Sequence, residues 1–157
     1  MKKTLDFDPI LRQIGDALGS AISLEEGVAE SMRIINAALP YFSWVGVYWL
    51  DDQNNELYLG PYIGARTEHT RIKIGREIYG TAVAENANQL IENVRQLDNY
   101  IACSLDVRSE IVVLIRDHQG RIIGQIDADG HEVGAFDEKD EAFLEKVAGL
   151  ISSAAET

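Results

Sequence analysis

Three observations on this 157-residue chain predict an α+β fold. Apolar residues recur at helical steps of three and four near both ends. Between them the period falls to two, in runs rich in β-branched and aromatic residues. Two such runs are followed by turn residues and a returning run, which makes hairpins and an antiparallel sheet. The expected architecture is a central antiparallel sheet of about six strands, with N- and C-terminal helices on one face and a loop-covered ligand pocket on the other. One domain over residues 1–157 is expected: helices in 1–40, sheet and pocket in 43–130, and a closing helix in 136–155.

Residues 8–19 form the first expected helix, with Ile10, Leu11, Ile14, Leu18 and Ile22 at helical spacing and Gly19 near its end. Ser23 and Glu26 give a capping-box signature for a second helix. It runs to about Leu39, ends at Pro40 and buries Val28, Met32, Ile35 and Leu39. From Ser43 the pattern changes. Residues 44–50 read as a strand, 51–55 as a turn and 56–59 as the returning strand, broken by Gly60, Pro61 and Gly64. Residues 69–74 alternate as a third strand ended by Gly75. Residues 77–85 read as a short helix in which Gly80 is unfavourable. Residues 89–92 read as a short strand, and 94–100 as polar loop or helical turn. Residues 109–116 and 121–128 make a second hairpin about His118-Gln119-Gly120, followed by loop over 130–134. Residues 136–140 open the last helix with acids in its first turn, and Phe143, Leu144, Val147, Leu150 and Ile151 form its buried stripe.

Composition narrows the function classes. The chain is 46% apolar and 25% charged, as globular proteins are. A formal net charge of -12 repels phosphate backbones, so nucleic acid and anionic membranes are not expected partners. A single cysteine allows no internal disulfide and makes the cytoplasm the default compartment. The basic first residues lack the apolar stretch of a signal peptide, and no apolar run approaches the ~20 residues of a membrane span.

The chemistry-bearing residues cluster between positions 101 and 129. Cys103, the one thiol, is followed by Glu110, Asp127 and Asp129 inside or beside strand-like runs. On its own Cys103 reads as a small buried residue, as free cysteines commonly are, since reactivity is set by an environment the sequence does not give. Asp127 and Asp129 are two apart on a strand and face one side, with Ile126 and Ala128 on the other. An exposed acidic face is one reading. The apolar run 122–126 suggests instead an interior strand, where adjacent carboxylates need a cation between them or must retain a proton. An ammonium group is such a cation, and a retained proton can be donated to an acceptor oxygen. No metal and no cofactor are expected. His69, His118 and His131 lack paired ligand spacing, and the segment from Gly75 to Gly80 lacks the ending of a phosphate loop.

The order of elements, with Ser43-Trp44-Val45-Gly46-Val47-Tyr48-Trp49, Tyr100-Ile101-Ala102-Cys103, Ser109-Glu110-Ile111-Val112-Val113 and Ile123-Gly124-Gln125-Ile126-Asp127-Ala128-Asp129, resembles a GAF domain. More narrowly it resembles the free methionine-(R)-sulfoxide reductases, over about residues 25–152. The last segment departs from that family's Gly-Val-Leu-Asp-Ile-Asp-Ser but keeps both aspartates. The resemblance implies a GAF fold, a homodimer and a small ligand such as free methionine sulfoxide. It makes Cys103 the catalytic nucleophile, with Glu110 and Asp129 binding the ligand's polar ends and Asp127 supporting them. The resemblance also implies an aromatic residue packed on the ligand's methyl-thio end, for which Trp44 and Tyr62 are the candidates here. The family's two further cysteines fall near His69 or Thr70 and within Glu77-Ile78-Tyr79-Gly80, so both partner thiols are missing. Two functions stay open: a reductase recycled by an external thiol or thioredoxin-like reductant, and a non-catalytic ligand-binding or redox-sensing module used in signalling.

Overall fold

The computed structural model describes residues 5–96 and 106–156. Cys103 and the rest of the Ile-Ala-Cys segment lie outside the described residues. The elements in order are α1 (Asp8–Ser20), α2 (Leu24–Ala38), β1 (Trp44–Asp51), β2 (Glu56–Ile63), β3 (Arg71–Lys73), α3 (Glu77–Glu85), β4 (Gln89–Ile91), a 3₁₀ turn (Val94–Gln96), β5 (Ser109–Arg116), β6 (Ile122–Gly130) and α4 (Glu138–Ala155). The fold is α+β, as the change of period indicates. Its sheet has six antiparallel strands in the order β3-β2-β1-β6-β5-β4. The two hairpins β1–β2 and β5–β6 meet at the centre through β1 and β6.

Alternation along the strands sends two sets of side chains to opposite faces. Val45, Val47, Ile111, Val113, Ile115, Ile126 and Ala128 join Ile14, Val28, Met32, Ile35, Phe143, Leu144, Val147 and Ile151 in one core. That core seats α1, α2 and α4 on one face of the sheet. Ser23 accepts a hydrogen bond from the Glu26 backbone N–H at 3.2 Å, which caps α2 at the expected place. Asp137 accepts from the N–H groups of Lys139 and Asp140, while the Asp140 carboxylate accepts from the Asp137 N–H. This capping box starts α4 at Glu138, two residues later than the acidic run suggests.

Several expectations need correction. Ile22 does not belong to the first helical face. It follows the end of α1 and is 93% exposed. Strand β2 does not stop at Leu59 but continues to Ile63. Tyr62 pairs with Gly46 and Leu59 with Tyr48, so Gly60 and Pro61 together oppose Val47 in a bulge. A proline, which has no N–H to give, is tolerated there. A Cβ at Gly60 would sit 2.7 Å from the Trp49 Nε1. Strand β3 is shorter than residues 69–74, and β6 continues through Gly130. Gly80 lies inside α3, as expected, but its reason is contact. A Cβ there would lie 2.5 Å from the Lys73 carbonyl oxygen, because α3 rests on the end of β3. Among the described residues no helix is long and apolar enough to cross a membrane.

Candidate functional site

On the face away from α1, α2 and α4, strand register lines residues up in three rows. Trp44 on β1, Asp129 on β6 and Glu110 on β5 form the first. Gly46, Asp127 and Val112 form the second, and Tyr48, Gln125 and Leu114 the third. The two central strands thus bring Glu110, Asp127 and Asp129 onto one wall, as their alternation suggests. All three are buried, with at most 2% of the residue exposed. Helix α3 lies over part of this face, where Ala82 packs with Val112 and Leu114.

Aromatic residues close one side. The rings of Trp44 and Tyr62 stack with centroids 5.2 Å apart, and the Trp44 Nε1–H donates to the Ala65 carbonyl at 3.1 Å. Gly46 makes the stack feasible: a Cβ there would be 2.4 Å from the Tyr62 Cβ and 2.8 Å from the Trp44 ring. The Tyr48 hydroxyl donates to the His69 carbonyl at 2.7 Å, tying β1 to the segment before β3.

The carboxyls carry the electrostatic tension of the site. Burial, and secondly the neighbouring Asp129 charge, push the Asp127 carboxyl well above the usual carboxylate range. The hydrogen bond from Gln125 opposes that shift. Burial lifts Asp129 to about 7. Among the described residues no salt bridge reaches either aspartate, and Asp127 Oδ2 and Asp129 Oδ1 are buried without a hydrogen-bond partner. A neutral carboxylic acid donates one hydrogen bond and an ionised one only accepts. Near neutral pH this wall can therefore accept from a cationic N–H and also offer a proton. Among the described residues no group of three or more His, Cys, Asp or Glu has a metal-binding arrangement.

Gln125 is the residue sequence reasoning passes over. It is fully buried and its Nε2–H donates to Asp127 Oδ1 at 2.8 Å. Its signal was the alternation itself: Gln125, Asp127 and Asp129 are three polar residues at steps of two on one central strand. The expected nucleophile, Cys103, has no place in this geometry because it lies outside the described residues.

Comparison with known proteins gives a concordant result. A family model described as a GAF domain matches residues 21–156. The chain is 34% identical over 148 residues to the free methionine-R-sulfoxide reductase of Escherichia coli, covering 94% of this chain and 87% of that one. It is 32% identical over 152 residues to Protein YtsP of Bacillus subtilis, covering 97% and 92% respectively. The X-ray structure of free methionine-R-sulfoxide reductase from Neisseria meningitidis in complex with its substrate superposes with a TM-score of 0.90 at 31% identity, covering 99% of this chain and 94% of that one.

Proposed function

This chain belongs to the GAF domain family, and on that premise we propose that it binds free methionine sulfoxide and reduces it through Cys103. The observation that carries this reading is the wall of three buried carboxyls, with Asp127 Oδ2 and Asp129 Oδ1 unmatched among the described residues. Burying ionised oxygens without partners is strongly unfavourable, so such a wall calls for a ligand with N–H donors or for protons. A free amino acid brings three N–H donors and a positive charge in one small group. Glu110 and Asp129 bind its polar ends and Asp127 supports them. The Trp44–Tyr62 stack, level with Asp129, suits an apolar methyl-thio end. Kinship to proteins named free methionine-R-sulfoxide reductase, one of them solved with its substrate, supports the choice of ligand.

In the reaction the Cys103 thiolate attacks the sulfoxide sulfur, protons from the wall release the oxygen as water, and water then adds to the Cys103 sulfur as the S–S bond breaks towards the substrate sulfur. Methionine and a Cys103 sulfenic acid result. The chain's only cysteine leaves no second thiol to close an internal disulfide. Two external thiols therefore complete the cycle, giving Cys103 thiol, one external disulfide and water. The test is an assay on free methionine-(R)-sulfoxide with dithiothreitol, glutathione and thioredoxin in turn, with Cys103→Ser as control. Turnover that disappears in the variant is expected, and no turnover with any of the three overturns the reading.

The absence of thiols at His69, Thr70 and Tyr79 favours one alternative, a module that senses the ligand without turning it over. In that case methionine sulfoxide raises the melting temperature of native protein and of Cys103→Ser alike, with no methionine formed.

A further inference from the structure

We propose that Gln125 fixes the proton of Asp127 on its Oδ2 atom, so that Asp127 serves the bound ligand as a one-directional hydrogen-bond donor aimed at the sulfoxide oxygen. Gln125 is thereby a positioning residue. The inference rests on the ligand reading above and deepens it, because it gives the supporting aspartate a defined atom and a defined role.

The geometry is specific. Gln125 and Asp127 project from the same face of β6, two residues apart, and both are fully buried. The Gln125 amide donates to Asp127 Oδ1 at 2.8 Å. An amide nitrogen has only N–H groups to offer, so the oxygen it faces must act as acceptor. A proton on Oδ1 would set donor against donor. It belongs on Oδ2, which is buried and has no partner among the described residues. A neutral Asp127 with this arrangement gives its one hydrogen bond from Oδ2, and a sulfoxide oxygen has only acceptor capacity to meet it. The ammonium end of the same ligand has nothing but donors and suits the carboxylates of Asp129 and Glu110 instead.

The surroundings favour a neutral Asp127. On β6 its titratable neighbour is Asp129, and on β5 it is Glu110. On β1 the residue opposite is Gly46, flanked by Trp44 and the Tyr48 hydroxyl, with Tyr62 of β2 beyond. The residue opposite on β5 is Val112, and the α3 residue packed on Val112 is Ala82. No cation among these groups would ionise Asp127. Burial pushes its carboxyl up more strongly than Gln125 draws it down.

The test has two arms. In the first, infrared spectra of native protein and of Asp127→Asn identify the C=O band of the neutral Asp127 carboxyl. In Gln125→Met, similar in size but without N–H, that band moves to higher frequency because its carbonyl oxygen loses a donor. Adding methionine sulfoxide to native protein shifts the band without abolishing it. A band absent from native protein, unmoved in Gln125→Met, or bleached by the ligand overturns the inference. The last result would mean that Asp127 ionises to hold the ammonium. In the second arm, Gln125→Met lowers kcat about fivefold with KM within about twofold, roughly what one net neutral hydrogen bond sustains. It also moves the alkaline limb of the pH profile upward, because Asp127 loses the bond that lowered its pKa. An unchanged kcat, or a limb moving downward, counts against the role. A native protein without turnover overturns the reductase reading alone, since the infrared arm still decides the place of the proton. Should Gln125→Met fail to fold, the response of the native band to ligand decides by itself.

Discussion

A carboxyl held at about 7 in the fold, against about 3.9 in an unfolded chain, binds more proton folded than unfolded between those values. Stability therefore falls as pH rises from about 4 to about 7 and levels off above. Asp129 has this form, and Asp127 adds to it in the same direction. Urea unfolding of native protein and Asp129→Asn across that range should show a flatter pH dependence in the variant. At pH 8 the variant should be the more stable, by at most about 4 kcal/mol, the three-unit shift at about 1.36 each. Its affinity for methionine sulfoxide should fall despite the gain. A variant no more stable than native at pH 8 would mean that the buried charge is already compensated. At this scale much was legible in sequence. Alternation alone puts Asp127 and Asp129 on one face with Ile126 and Ala128 on the other, and Glu110 arrives beside them once the second hairpin is recognised. What alternation cannot reveal is which carboxyl oxygen is engaged. The bond from Gln125 to Asp127 Oδ1 depends on two side-chain rotamers inside a closed space.

Elements are placed here by close backbone contacts that propensity rules misread. Gly80 sits within α3, where replacement by alanine would ordinarily add about 1 kcal/mol of helix stability. Here the new Cβ would meet the Lys73 carbonyl oxygen at 2.5 Å, so α3 must lift from the end of β3. Gly80→Ala should destabilise the protein by about 1–3 kcal/mol in urea unfolding, a reversal of sign relative to an exposed helix glycine. A stabilised variant would show that α3 can move without loss. Helix α4 offers the opposite case, in which local rules hold. Asp137→Ala removes an acceptor from two backbone N–H groups and should lower stability by about 1–2 kcal/mol, leaving ligand affinity unchanged because α4 lies on the other face. The same contrast explains which boundaries could be read. Residues 77–85 were legible as a helix from composition. The run of β2 through Gly60 and Pro61 was not, because it is permitted only by a bulge against Val47 that depends on strand register.

At the scale of the whole molecule, charge and cysteine count act together. In the proposed reaction a single thiol makes the sulfenic acid of Cys103 the end of the first turnover, so methionine should form in a burst of one equivalent per chain when reductant is withheld. Further turnover must wait for a thiol from solution. That thiol approaches a surface with a formal net charge of -12. Glutathione is an anion at neutral pH and dithiothreitol is uncharged, so the protein field hinders the first and leaves the second alone. Raising ionic strength from 0.01 to 0.15 M shortens the screening length from about 30 to about 8 Å and should relieve the repulsion. Under limiting thiol, turnover with glutathione should therefore rise about two- to fivefold over that range, while turnover with dithiothreitol stays constant. Stopped-flow kinetics at several salt concentrations measure both. Equal responses of the two thiols would show that salt acts on the protein and not on the encounter. A glutathione rate that falls with salt would point to a local positive patch at the mouth of the site, strong enough to outweigh the acidity of the rest of the chain.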